Sequence, residues 1–280
     1  MKIGVRAHDY GRRGVEECAI LMHKEGYEAV QLAIPKTFTG IMKYEDITEG
    51  LLNNIREAFC TQQVEIAVLG CYMDLSHPDK ETRQAAVSTF CRCLRYSKII
   101  GAKMTGSETA YGHLSKMEKH RRFPYMLDSL KRLAEEAERL DVWMGIEPVA
   151  WHPLEDTETA AETLHILGSS HVKIILDPAN ILERPKEINQ SAYWKRCLDL
   201  LGNSIEAVHL KDFKVDSAGN YIPTLLGEGV MEYDALEKWL ADRPEMPVLR
   251  EEMNPAAAGR ELKYMREMKE RKRRRYGNFP

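Results

Sequence analysis

Short apolar runs alternate with amphipathic stretches along the chain, the pattern of repeated strand–helix units. Strands are predicted at 2–8, 29–34, 64–69 and 103–106 in the first half, and at 142–147, 172–177, 205–211 and 247–252 in the second. Stretches of helical periodicity between them predict helices at 15–24, 47–63, 78–100, 123–140 and 157–167, with a terminal helix from about 258. Gly26 and Gly101 supply the stops of two of these. Eight such units with no linker between them predict an α/β protein, a single (β/α)8 barrel over residues 1–280. The length suits that architecture, which needs roughly 250 residues. A doubly wound open sheet has fewer strands and a glycine-rich first turn, and Gly11-Arg12-Arg13-Gly14 does not supply that turn.

With 44% hydrophobic and 30% charged residues, the composition is that of a packed globular protein and excludes disorder as the main theme. The net charge of −3 is unevenly spread: Arg260 onward carries nine Lys or Arg against three Glu, so the body before it is acidic. An acidic body excludes nucleic acid as the main ligand. The basic end at about 260–280 reads as a solvated helix terminus that suits the macrodipole. No apolar run approaches the ~20 residues of a bilayer span. Met1 to Arg6 reads as a first strand, not a signal core, so no membrane partner and a cytoplasmic location are expected. The six scattered cysteines read as free, mostly buried thiols.

In a (β/α)8 barrel the C-terminal strand ends form the active face. Glu147 ends the fifth strand, Asp177 the sixth, His209 lies at the end of the seventh, and Glu251 or Glu252 ends the eighth. Three carboxylates and one imidazole from successive strands make a hard, mostly oxygen shell. It suits Mn2+ first, Mg2+ equally by type, with Co2+ or Zn2+ compatible. Glu251 facing inward places Leu249 inside and Arg250 against the helices; Glu252 facing inward reverses this. Glu251 is preferred. Second candidates for substrate binding are His8 on the first strand, Glu108 after the fourth, His152 on the loop after Glu147, Asn180, Lys211 and Glu252. Trp151 and Tyr72 offer stacking faces, and His77 reads as shaping a helix entry.

Gly-Ile-Glu147-Pro, Ile-Leu-Asp177-Pro-Ala-Asn180, Val-His209-Leu-Lys-Asp212 and Gly227-Glu-Gly229, with the 70–78 segment, resemble the xylose-isomerase-like TIM-barrel superfamily in its sugar phosphate isomerase/epimerase branch. The resemblance implies Glu147, Asp177, His209 and Glu251 as metal ligands. It also implies Glu147 and Glu251 as the two proton-transferring groups of an enediolate mechanism. Lys211 or Lys214 would hold a phosphate or polarise an oxygen. Two departures from the ketose 3-epimerases of that superfamily are Asn180, where they carry histidine, and Val215, where they carry arginine.

The expected activity is therefore a metal-dependent isomerase or epimerase of a sugar, sugar phosphate or related polyol. A metal-dependent dehydratase of a cyclic polyol ketone shares the enolisation step. A zinc-dependent DNA-repair nuclease of the same superfamily needs more histidines than the nine here and a basic groove. A barrel that binds a metabolite without turnover is the non-enzymatic alternative, against which the four ligand-type residues speak. By resemblance the chain associates as a homodimer or homotetramer, with loops at 107–120 and 213–229 as lids or interface arms.

Overall fold

A computed structural model of the chain describes residues 1–183, 188–217 and 219–275, with side chains as far as 271. The strands are β1 (Lys2–Arg6), β2 (Ala29–Leu32), β3 (Glu65–Gly70), β4 (Met104–Ser107), β5 (Trp143–Ile146), β6 (Val172–Leu176), β7 (Ile205–Leu210), β8 (Asp212–Val215), β9 (Tyr221–Thr224) and β10 (Pro247–Arg250). All but β8 and β9 close a parallel barrel in the order β1–β10–β7–β6–β5–β4–β3–β2, the (β/α)8 TIM barrel expected from the alternation. Helices α1 (Val15–Glu25), α2 (Ile34–Thr37), α3 (Glu49–Thr61), α4 (Lys80–Ile100), α5 (Lys116–Leu140), α6 (Thr157–Leu167), α7 (Pro178–Ile181), α8 (Gln190–Leu201), α9 (Asp234–Leu240) and α10 (Ala258–Arg275) fill the connections. None is long and apolar enough to cross a membrane.

Burial on both faces explains why the barrel strands read as near-continuous apolar runs. Their outward residues join one large core with the helices. Their inward residues form a second, small core of Ala29, Ala67, Val68, Met104, Ile175, Ala207 and Leu249. The interior is so narrow that Ile175 fills it only because two facing positions lack side chains. A Cβ on Gly106 would sit 2.5 Å from Ile175 Cδ1, and one on Gly145 would sit 2.9 Å from Ile175 Cγ1.

The eighth barrel strand, β10, alternates strictly. Leu249 pairs with His209 and fills the barrel, while Arg250 turns outward. Its guanidinium reaches Glu261 of α10 at 2.8 and 3.0 Å, with both side chains almost fully buried. The same guanidinium donates to the carbonyls of Leu210, Thr224 and Glu251, so it locks α10 and the hairpin to the strand that delivers Glu251.

Several element boundaries differ from the sequence reading. The helix expected at 123–140 starts at Lys116, because Ser115 and Glu118 form a reciprocal capping box and the helix runs on through Pro124. The expected 107–120 loop is correspondingly shorter. The segment expected as a loop at 213–229 contains the antiparallel hairpin β8–β9. Its return is fixed by Asp212, whose carboxylate accepts the backbone N–H groups of Phe213, Gly227, Gly229 and Met231 at 2.9–3.1 Å. The Gly227-Glu-Gly229 motif is thus a docking point for that carboxylate. Helices α8 and α9 were not foreseen. The first strand stops at Arg6, and His8 lies in a 3-10 turn (Ala7–Tyr10). Of the basic end expected at 260–280, helix α10 carries the chain to Arg275, and 276–280 lie outside the described residues.

Candidate metal centre

Glu147, Asp177 and Glu251 each sit where a strand hands over to its loop, and His209 lies one residue before the end of β7. The backbone N–H of Glu147 bonds the Ser107 carbonyl at 3.0 Å, and that of Glu251 bonds the Leu210 carbonyl at 3.0 Å, so the ladder extends one residue to pin both. Asp177 caps α7, its Oδ1 accepting from the N–H groups of Ala179 and Asn180 at 2.8 and 3.0 Å. Glu252 follows in the left-handed region, φ 54°, which turns the chain away directly after Glu251.

Glu147, His209 and Glu251 converge, with one candidate ligand atom from each lying within 4.8 Å of the others. His209 Nδ1 is 3.3 Å from Glu147 Oε2 and 3.3 Å from Glu251 Oε1. Two atoms bound at ~2.0–2.2 Å to one cation stand about 3 Å apart when they subtend a right angle, so this spacing fits a shared ion. Among the described residues, Glu147 Oε2, His209 Nδ1 and Asp177 Oδ2 are buried and make no hydrogen bond of normal geometry, their nearest charged neighbours being one another and Lys211. A buried oxygen or nitrogen left in that state is costly, and a divalent cation would satisfy such atoms together.

The expected ligand Asp177 is not in that triad; its Oδ2 lies 3.2 Å from Lys211 Nζ. Lys211 also approaches Glu251 Oε2 at 3.1 Å, and its ammonium draws the two carboxylates toward itself. Glu147 is steadied by Asn180, whose amide donates to Oε1 at 2.6 Å and leaves Oε2 free. The residue standing where ketose 3-epimerases carry histidine therefore acts here on the fifth-strand carboxylate.

The electrostatics follow from crowding four carboxylates around one lysine. Burial favours the neutral acid at Glu251, yet Lys211, His209 and Arg6 hold it ionised, well below the usual carboxylate range. Burial pushes Asp177 up to about 6, against the pull of Lys211 and with the help of the Glu251 and Glu147 charges. Burial works against charge on His209, but Glu251 and Glu147 outweigh it and raise the imidazole to about 9. Glu108 is pushed up to about 8, first by burial and then by the same two carboxylates.

Above the cluster lies a cavity of about 420 Å3 whose wall includes Glu108, His152, Asn180, Lys211, Glu251 and Glu252. Glu108 Oε2 and His152 Nδ1 face each other at 3.6 Å on one side. Burial lowers His152 to about 4, so its ring is neutral. Trp151, packed against His113 and Tyr221, forms the outer wall. His8 does not line this cavity; Arg6 does, because the strand ends two residues before His8. Tyr72 hydrogen-bonds Gln31, and His77 Nδ1 accepts from the Asp79 N–H at 3.1 Å at the entry to α4.

Sequence reasoning missed two residues of the centre. Arg6 reaches Glu251 Oε1 at 3.5 Å. Gln31 accepts from His209 Nε2 at 2.7 Å. The available signal for Gln31 was a single polar residue inside an apolar strand.

Three solved structures of comparable fold give context. A 3-keto-D-glucoside 4-epimerase, YcjR, from E. coli superposes with a TM-score of 0.74 at 18% identity, covering 95% of this chain and 99% of that one. The IOLI protein with a binding zinc atom superposes at 0.74 and 17% identity, covering the whole of both chains. The probable 3-DHS dehydratase AsbF, involved in petrobactin synthesis, from Bacillus anthracis superposes at 0.74 and 15%, covering 95% and 99%. At these identities the likeness is one of fold. No curated protein matches the sequence. The family described as xylose isomerase-like TIM barrel matches residues 20–268, nearly the whole barrel. The chain belongs to the xylose isomerase-like TIM barrel family.

Proposed function

We propose that the protein is a divalent-metal-dependent isomerase or epimerase of a sugar, sugar phosphate or related polyol. The observation that carries this reading is the convergence of Glu147, His209 and Glu251, whose facing atoms are buried and ligand-type, beneath a cavity at the barrel mouth. Those three side chains would hold the ion, with Asp177 as the fourth candidate. The oxygen-rich donor set favours Mn2+ or Mg2+. A bound ion would supply Lewis acidity to two neighbouring oxygens of a hydroxy-ketone, making the adjacent C–H acidic.

The chain's own groups do the rest. Glu147 on β5 and Glu251 on β10 stand three strands apart round the barrel, so they address a substrate from two sides. Glu251, held ionised by Lys211, His209 and Arg6, is in the unprotonated form that a general base requires, while those same cations lower its basicity. Delivery of a proton carried by Glu147 to the opposite face, with Glu251 keeping the one it took, would invert a stereocentre; return of Glu251's proton at the neighbouring carbon, with the hydroxyl proton passing between the two oxygens, would isomerise. Lys211, at the cavity wall, would orient the oxygen on which negative charge develops.

A second reading, dehydration of a polyol ketone, is favoured by one observation. Glu108 stays protonated to about pH 8 in the cavity wall, and a neutral carboxylic acid there can protonate a departing hydroxyl. Incubation with hydroxy-ketones in deuterium oxide tests both readings. Isomerase or epimerase action incorporates deuterium at the carbon beside the carbonyl, and Glu251→Gln abolishes it. Dehydration yields an enone that absorbs in the ultraviolet. Neither signal across a broad panel, with metal added, contradicts the enzymatic proposal.

A further inference from the structure

Gln31 lies within β2, fully buried, beside the small apolar core that fills the barrel. A buried amide there is expensive unless its groups are bonded. Both ends are used: the NH2 donates to the Tyr72 hydroxyl, and the oxygen faces His209 Nε2 at 2.7 Å across the barrel. The amide is placed with its NH2 on the Tyr72 oxygen and its own oxygen toward the imidazole.

This decides which nitrogen of His209 does what. Nε2, facing an acceptor, must carry the hydrogen. In the neutral ring Nδ1 then presents its lone pair, and Nδ1 is the atom lying 3.3 Å from both Glu147 and Glu251. We infer that Gln31 is a positioning residue of the metal centre: it fixes His209 as the Nε2–H tautomer and aims Nδ1 at the space shared with Glu147 and Glu251. The inference rests on reading that cluster as a divalent-metal site.

The packing behind Gln31 holds it in place. Tyr72 leans over Gly70, where an added Cβ would come within 2.9 Å of the tyrosine ring and 3.4 Å of Gln31 Nε2. The Tyr44 hydroxyl bonds the Gly70 carbonyl at 3.1 Å, fixing the strand at that point. Tyr72, Gln31 and His209 thus form one hydrogen-bonded file from β3's end to β7.

The test needs no substrate. Mn2+ affinity is measured by competition with a fluorescent chelator on the wild type, Gln31→Leu and Gln31→Glu. The leucine variant, which leaves Nε2–H unpaired, is expected to bind about 10–100-fold more weakly, the usual effect of removing such an outer partner. The glutamate variant keeps an acceptor oxygen and is expected to lie nearer the wild type than the leucine variant. In Zn2+-loaded wild type, a long-range proton–nitrogen correlation, with His209 assigned by its loss in His209→Gln, should place the hydrogen on Nε2. Equal Mn2+ affinity in wild type and Gln31→Leu, or a metal-bonded Nε2 in the wild type, overturns the inference. If Gln31→Leu does not fold, the wild-type spectrum decides alone. A wild type that binds neither ion overturns the metal reading and this inference with it, whereas a wild type that binds while Gln31→Leu binds equally overturns the inference alone.

Discussion

Replacing Glu261 by glutamine should weaken the whole barrel, because it leaves a buried guanidinium without its counter-charge. Arg250 and Glu261 are 2% and 1% exposed, and the pair is bridged twice, at 2.8 and 3.0 Å. Glutamine keeps an acceptor oxygen, and Arg250 keeps the Leu210, Thr224 and Glu251 carbonyls, so what is lost is mainly the charge. The second Glu261 oxygen also accepts the Leu226 N–H at 3.2 Å, a bond glutamine cannot keep together with the Arg250 contact. Breaking a buried pair costs about 3–5 kcal/mol, and the retained acceptor places this case near ~3 kcal/mol. That is a large share of the ~5–15 kcal/mol that holds a typical protein folded. It corresponds to a fall in Tm of roughly 6–12 °C for a chain of this size. Urea unfolding followed by circular dichroism should show a lower midpoint with an unchanged slope. Replacing both partners, Arg250→Met with Glu261→Leu, should cost less than Glu261→Gln alone, since no buried charge remains. A loss below about 1 kcal/mol for Glu261→Gln would refute the claim that this pair clamps α10 to the strand bearing Glu251.

Other outcomes follow from the same structure. In the metal-free protein His209 titrates at about 9, and coordination through Nδ1 needs the neutral ring, so each ion bound below that pH displaces a proton. Mn2+ affinity should therefore rise about tenfold per pH unit up to about pH 9 and level off above it; a flat profile contradicts the assignment of His209 as ligand. By linkage, the stabilisation from the charged ring in metal-free protein is full below about pH 6.5 and lost as the pH rises through about 9. Gly106→Ala drives a Cβ to 2.5 Å from Ile175 and 2.7 Å from the stiff Val68, whereas at Gly145 the nearest atom is the yielding Met104 sulfur at 2.7 Å. Both substitutions should destabilise by about 1–3 kcal/mol, Gly106→Ala the more, as read by thermal melts; the reverse order would sink the packing argument. Cys60 is exposed, while burial pushes the Cys18 and Cys197 thiols up to about 12 and about 11. A thiol reagent at neutral pH should modify Cys60 first and leave Cys18 and Cys197 unreacted until denaturant is added.

The barrel was legible because its eight strands are buried on both faces as apolar runs, and because Glu147, Asp177 and Glu251 directly follow the fifth, sixth and eighth of them. What the sequence concealed has physical causes. Strand β9 is exposed and carries Pro223, so it shows neither alternation nor a donor at that position. Helix α9 spans only seven residues, too few for a helical period to register. Helix α5 begins at Lys116, ahead of the expected 123, because the Ser115 capping box starts it there and it runs on through Pro124. At the site, Glu147, His209 and Glu251 could be found because ligand-type residues at strand ends stand out against apolar runs. Their supports could not. Gln31 and Arg6 gain meaning only from partners 178 residues away in one case and across the β1–β10 seam in the other. The place of Asp177 beside Lys211 is likewise set by a charge at the end of the next barrel strand, which spacing alone does not express.

The central claim is that Glu147, His209 and Glu251 together hold a divalent cation. The most direct test is elemental analysis of the protein after incubation with Mn2+ and removal of free ion, beside Glu147→Gln and His209→Asn variants shown to be folded. The account predicts close to one ion per wild-type chain and a clear loss in both variants. Wild-type protein without metal, or variants that retain it in full, would contradict the account.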